Sequence, residues 1–291
     1  MAETKPTAPA VARVANAQPK KSGNLVSWVA PVVCMLAGYC IWRFILGNPN
    51  NFADSAEHTN EFFWPGYEKL KNSKDALSKM YLGGIIVPIL IGCFLLVLTV
   101  SIERFLTVLR ASGKSSNAEF IRRIQYNLAN KNVDAALSEC DKQGGSVGNV
   151  MKSGLRKYKE MTTDTHLDTE QKVLSIQKEV EEATALELPM LEKNLVFLST
   201  LASVATLLGL LGTVLGMIRS FSALGDGGGA NAAEALSIGI SEALYNTALG
   251  IGTSAVAIIM YNIFTTKIDG ITYGIDESMM TLTSSFAANY K

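Results

Sequence analysis

The apolar positions of this chain gather into four blocks set apart by polar sequence, at residues 25–46, 80–101, 195–218 and 236–264. A helix needs about 20 mostly apolar residues to cross a hydrocarbon core about 30 Å thick, so each block predicts a membrane-spanning helix. The first block is free of charge until Arg43, which can snorkel from near its end, and Trp28 and Trp42 sit near its two ends as interfacial anchors. The fourth is longer than required and contains Glu242.

Between the second and third blocks the period changes. Phe120, Ile121, Ile124 and Leu128, then Val133, Ala136 and Leu137, recur at helical spacing, and Gly144-Gly145 interrupts them before a second periodic run. From Asp168 a run of good helix formers puts Val173, Ile176, Val180 and Ala183 on one face. This helix is predicted to feed directly into the third span with a kink at Pro189, giving one rod of about 75 Å from Asp168 to Ile218. The fold class is therefore all-α: a polytopic membrane protein with four transmembrane helices and long helices extending into a cytoplasmic helical domain.

Charge sharpens this picture. Residues 101–194 carry 14 basic and 14 acidic side chains, whereas 195–264 carry only Arg219, Asp226, Glu234 and Glu242. Over all 291 residues, 26 basic groups balance 26 acidic ones, so no net field recruits nucleic acid. An apolar share of 48% excludes disorder of the whole chain. Cys34, Cys40 and Cys93 lie inside apolar runs and Cys140 in the insert, a pattern of small hydrophobes rather than a disulfide framework. His58 and His166 are far apart and lack metal-ligand spacing. The Gly225-Asp226-Gly227-Gly228-Gly229 run has no following Lys-Ser or Lys-Thr and predicts a flexible turn, not a phosphate cradle. No enzyme motif, cofactor or metal site is expected.

Basic residues near the span ends set the orientation. Arg13, Lys20 and Lys21 precede the first span, Arg104, Arg110, Lys114, Arg122 and Arg123 follow the second, and Lys178 and Lys193 precede the third. Both termini are then cytoplasmic. The predicted organisation is a disordered cytoplasmic tail at 1–24, a periplasmic segment at 47–79, the cytoplasmic helical domain at 102–194, a periplasmic turn at 219–235 and a cytoplasmic tail at 265–291.

Within the third span Ser199, Ala202, Thr206, Gly209, Thr213, Gly216 and Ser220 form a stripe of small or hydroxylated groups. The fourth has a counterpart in Gly239, Glu242, Asn246, Gly250, Thr253 and Ala257, with Ala243, Thr247 and Ser254 beside it. Such stripes serve helix packing in lipid, or line an interior. A carboxylate in a span is costly and tends to face a bundle interior or water, which makes Glu242 a functional candidate.

The GLLGTVLGM and SEAL-x-x-TALG segments, with the Ile102-Glu103-Arg104 exit of the second span, resemble the ExbB, TolQ and MotA family of ion-driven motor subunits over residues 80–265. The resemblance implies a homopentamer around two copies of an ExbD or TolR type single-span partner, a translocated proton, a bacterial inner-membrane location and a TonB-like protein as a further partner. Carried over by position, Thr213, Thr247 and Glu242 would line the ion pathway, with Ser199, Thr206, Gly209, Gly216, Gly239, Asn246 and Gly250 in the pore or packing stripe. Thr206 stands where many relatives have proline, and the first span with 47–79 precedes the usual three-span core. An ExbB role, a TolQ role, a gliding or flagellar stator and a non-conducting scaffold stay open at this level.

Overall fold

The computed structural model describes residues 24–48, 76–226 and 230–290. Among them the chain is helical without a strand: α1 (Asn24–Cys40) continues as a π-helical turn (Ile41–Leu46), followed by α2 (Ala76–Leu82), α3 (Ile86–Ala111), α4 (Asn117–Ala129), α5 (Val133–Gln143), α6 (Gly145–Thr163), α7 (Thr169–Glu192), α8 (Leu195–Asp226) and α9 (Ala230–Asn289). Four helical stretches are long and apolar enough to cross a membrane: Val29–Leu46, Ile86–Ala111, one within Thr169–Ser222 and one within Leu236–Asn289. α1 packs on α3, α3 packs on both α8 and α9, and α8 and α9 pack on each other along most of the length of α8.

The first helix is fastened by a close crossing. A Cβ on Gly38 would sit 2.7 Å from the Pro88 carbonyl oxygen and 2.8 Å from Gly92 Cα, so α1 and α3 meet backbone to backbone. Beyond it the Trp42 indole N–H donates to the Tyr81 carbonyl at 3.1 Å, and the two rings stack with centroids 4.6 Å apart.

The predicted second span at 80–101 is divided. Gly83 and Gly84 form a corner between α2 and α3, with Gly84 at φ +79°, a left-handed backbone that a glycine adopts without steric cost. The apolar helix consequently runs later, from Ile86 to Ala111.

The predicted rod from Asp168 through Pro189 is also broken, and not at the proline. Pro189 lies in the last turn of α7, where its missing N–H leaves the Ala185 carbonyl without an intrahelical donor, yet the helix runs on to Glu192. The break falls at Lys193, with ψ 138°, and at Asn194, with φ 68°. Asparagine is one of the few side chains that tolerates that conformation. Arg104 of α3, only 3% exposed, gathers the carbonyls that the helix end leaves free: Met190 at 3.4 Å, Leu191 at 3.2 Å and Lys193. Glu103 accepts from Arg104 at 2.5 Å and from the Asn194 amide at 2.9 Å, closing the junction.

The largest departure is at the C-terminus. Residues 265–290, predicted as a tail, continue the fourth span within α9, whose 60 residues extend about 90 Å. Phe264, Ile268, Ile271, Ile275, Leu282 and Phe286 are buried, and they pack with α4, α6 and α7 as the spine of the insert. Gly154 of α6 lies beneath Leu282 and Val180, where a Cβ would be 2.5 Å and 2.7 Å from their side chains. Asn289 donates to the Leu128 carbonyl at 3.1 Å, and Thr169 to the Tyr290 carbonyl at 3.0 Å. The aromatic rings of Tyr158 and Phe286 meet edge to face at 4.9 Å.

Helix ends in the insert follow the sequence closely. Asp168 and Gln171 form a capping box at the start of α7. Gly144 and Gly145, both at positive φ, separate α5 from α6 where the glycine pair predicted a break. The predicted turn at 219–235 is short, because α8 persists to Asp226 and α9 starts at Ala230. Of the glycine-rich run, Gly225 and Asp226 close α8 and residues 227–229 lie outside the described residues, as do residues 1–23 of the tail predicted at 1–24 and residues 49–75 of the segment predicted at 47–79.

Two expected outcomes follow from this packing. Phe286→Ala removes a fully buried ring and is expected to destabilise the insert by about 3–5 kcal/mol. Limited proteolysis of the insert in the bilayer-embedded protein should accelerate, and an unchanged cleavage rate would show that the C-terminal helix is dispensable. Burial pushes the Cys140 thiol up to about 12, so the reactive thiolate is scarce at neutral pH and up to pH ~10. Maleimide labelling of Cys140 should stay slow across that range and become fast in denaturant; rapid labelling of the folded protein contradicts the burial.

Candidate ion-path site

The α8–α9 seam is built from the small residues of the two stripes. A Cβ on Gly250 would lie 2.6 Å from the Ala205 carbonyl oxygen and 2.8 Å from Gly209 Cα; one on Gly216 would lie 2.8 Å from Ala243 Cβ and 3.0 Å from the Gly239 carbonyl oxygen. Gly209 faces Gly250 and Thr247 in the same way. Any larger residue at these points would force the backbones apart. Gly209, Gly216, Ser220, Gly239, Ala243, Asn246, Gly250, Thr253 and Ala257 are all buried in the monomer, so most of the predicted stripe serves packing.

At the rim of the seam the stripe does something else. Thr213 and Thr247 are half-buried, and their hydroxyl oxygens are 2.9 Å apart. Thr213 also reaches the Leu210 carbonyl at 2.9 Å and that of Gly209 at 3.3 Å, and Thr247 reaches the Gly209 carbonyl at 3.2 Å. Each hydroxyl has a single proton, so only one of the pair can donate to the other while that other donates to a carbonyl. Two opposite orders satisfy the contact: Thr213 to Thr247 to Gly209, or Thr247 to Thr213 to Leu210. A chain with two equivalent polarities can accept a hydrogen bond from an outside donor without losing its internal one. Thr213 opens on a groove of about 680 Å³ lined also by Val214, Met217, Ile218, Phe221 and Ser222.

The remaining predicted residues are dispersed. Ser199 and Thr206 are exposed and line a separate groove of about 470 Å³ with Ser203, Ser254 and Tyr261. Thr206 returns its proton to the Ala202 carbonyl at 3.2 Å. Glu242 is half-buried one turn before Asn246, and the cation whose charge reaches it is Arg219 of α8. Arg219 counted in the sequence only as the sole basic residue of a turn; folded, its guanidinium lies against Gly84 at the α2–α3 corner. Asn246 is likewise more than a stripe member. Its side-chain amide donates to the Gly83 carbonyl at 3.1 Å and its Cβ fills the space beside Gly212. Arg104 had one visible signal, a charged pair at the end of an apolar run, but its partners lie 86 to 89 residues away in sequence. Among the described residues no group of His, Cys, Asp and Glu side chains is placed to hold a metal ion.

Residues 144–277, which include the whole seam, match the family described as the MotA/TolQ/ExbB proton channel family. Over this stretch, a little under half of its length, the chain is similar to that family. It is 42% identical over 87 residues to the putative biopolymer transport protein ExbB-like 3 of Synechocystis, covering 29% of this chain and 41% of that relative. Over 178 residues it is 29% identical to the Tol-Pal system protein TolQ of Pseudomonas aeruginosa, 56% of this chain and 77% of that protein. The biopolymer transport protein ExbB of Aquifex aeolicus is 40% identical over 78 residues, 27% of this chain and 52% of its own length. The chain thus spans about two fifths of the length of the Synechocystis relative and about half that of the Aquifex one. The matched family is one of proton channels, and the four long apolar helices of this chain are those of a membrane protein.

The seam yields its own expectation. Gly250→Ala places a methyl against the Ala205 carbonyl and Gly209 Cα, so α8 and α9 must separate and the Thr213–Thr247 contact must lengthen. The melting temperature of the variant in detergent should fall below that of the unaltered chain. A melting temperature within error of the unaltered chain would refute the close-contact geometry.

Proposed function

We propose that this chain is an ExbB-like subunit of a motor driven by the proton motive force in a bacterial inner membrane, with both termini cytoplasmic. Five copies would enclose two copies of an ExbD or TolR type single-span partner, and the assembly would energise active transport across the outer membrane, with a TonB-like protein as the next component. The observation that carries this reading is the Thr213–Thr247 hydroxyl pair, held at 2.9 Å on the rim of the seam in the region that matches the proton-channel family. Neither hydroxyl titrates in the physiological range, so their work is to orient water and to hydrogen-bond a carboxyl on the partner helix, while Glu242 supplies the carboxylate of this chain.

A TolQ-like role is a second reading, favoured by the long match to the Pseudomonas aeruginosa protein. Complementation of strains lacking either ExbB or TolQ separates the two.

The test combines assembly with transport. Native mass spectrometry of the chain co-expressed with a candidate single-span partner should give five copies with two. Thr213→Ala and Thr247→Val should retain that assembly and lower proton-driven uptake about tenfold or more, the size expected for losing a hydrogen bond to a charged group. Full uptake by both variants in an intact assembly would leave a non-conducting scaffold as the better description.

A further inference from the structure

Asn246 combines two properties that its packing role does not require. It is 2% exposed, and while its Nδ2 donates to the Gly83 carbonyl, its Oδ1 has no hydrogen-bond donor among the described residues. The amide orientation is fixed, because the reverse would set Oδ1 against the Gly83 carbonyl oxygen. The side chain is also fixed in place, since Gly212 leaves no room on the α8 side. A buried acceptor without a donor is an unmet demand, and the structure holds it at one spot.

The nearest group on the same stripe that can meet it is Glu242. Residues four apart on a helix have Cβ atoms about 5–6 Å apart, close enough for side-chain hydrogen bonds. An ionised carboxylate has no proton to give; a protonated one does. The charged and titratable groups carried here by the packed elements are Arg219 from α8, Lys79 and Tyr81 from α2, Cys93 from α3 and Tyr245 from α9 itself. Of these, Arg219 is the one whose charge reaches Glu242, and its guanidinium lies at the same corner, against Gly84. Glu242 is therefore one helical turn from an acceptor that suits only its protonated form and within the field of a cation that suits only its ionised form.

We propose that Asn246 is a positioning residue that receives the proton of the Glu242 carboxyl, so that this side chain has two positions: on Asn246 Oδ1 when protonated and toward Arg219 when ionised. The proposal rests on the reading of Glu242 as part of the proton path and adds to it a device that orients the loaded carboxyl into the seam. The α2–α3 corner would then act as a fixed frame, with Trp42 holding the Tyr81 carbonyl and Asn246 the Gly83 carbonyl.

Infrared difference spectra of the full chain in lipid bilayers, recorded between alkaline and acid buffer, test this without a partner or transport. The Glu242 bands are assigned by their loss in Glu242→Gln. In Asn246→Leu the protonated C=O band should move to higher wavenumber, as for a carboxyl deprived of its acceptor, with the carboxylate bands unchanged. In Arg219→Gln the carboxylate bands should move and the protonated band should not. A Glu242 band indifferent to Asn246→Leu in a chain of unaltered helicity and oligomeric state overturns the proposal, as does a Glu242 that never protonates over the accessible range. Should Asn246→Leu fail to assemble, the unaltered chain with ¹³C-labelled asparagine side chains replaces it: acid should shift one amide carbonyl band, and Glu242→Gln should abolish that shift. Absence of the shift is again fatal. A switch seen in a chain that supports no uptake would sink the channel reading alone, and uptake without the switch would sink this proposal alone.

Discussion

The constraint on which this structure depends is the near-contact of two helix backbones, α8 and α9, along a line of residues too small to keep them apart. Lipid gives no hydrophobic reward for bringing helices together, so close packing must supply the attraction. Glycine at 209, 216, 239 and 250 brings the carbonyls and Cα atoms themselves into van der Waals range. Only at that separation can the short hydroxyls of Thr213 and Thr247 meet across the seam. The polar contact at the rim is a consequence of the close packing at the centre.

That seam is extended into water by the same helix that makes half of it. α9 runs without a break from Glu242 and Thr247 to Phe286, where its side chains become the core of the insert. Its companion α8 is different: it is separated from α7 by the left-handed Asn194 and re-joined to the bundle through Arg104 and Glu103 of α3. One member of the pair is thus continuous with the insert and the other meets it through a polar junction. A displacement along α9 reaches the insert directly, while one along α8 passes through hydrogen bonds at Arg104.

The first helix is part of this frame and no loose addition. Its backbone crosses α3 at Gly38 and Gly92, and Trp42 stacks on Tyr81 at the corner that Asn246 of α9 holds from the other side. Outward, Val29, Val32, Val33, Leu36, Phe44 and Ile45 are exposed, a face suited to lipid.

The sequence by itself determined the properties that depend on composition and period: four apolar blocks, a charged helical insert, the glycine pair that ends α5, and two stripes of small residues with one carboxylate among them. These are local, because the length of an apolar run and the spacing of small side chains on a helix follow from neighbours within a few turns. Tertiary structure decided which residues of each stripe pack and which line a rim. Gly209 and Thr213 are indistinguishable by spacing, yet one is sealed and the other opens on a groove. It also decided that the rod predicted to run on with a kink at Pro189 is interrupted at Asn194, since the free carbonyls there are taken up by an arginine 86 to 89 residues earlier. The C-terminal segment read as a tail for a related reason. Its polar faces hid a buried line from Phe264 to Phe286, which becomes a core only where α4, α6 and α7 arrive to cover it.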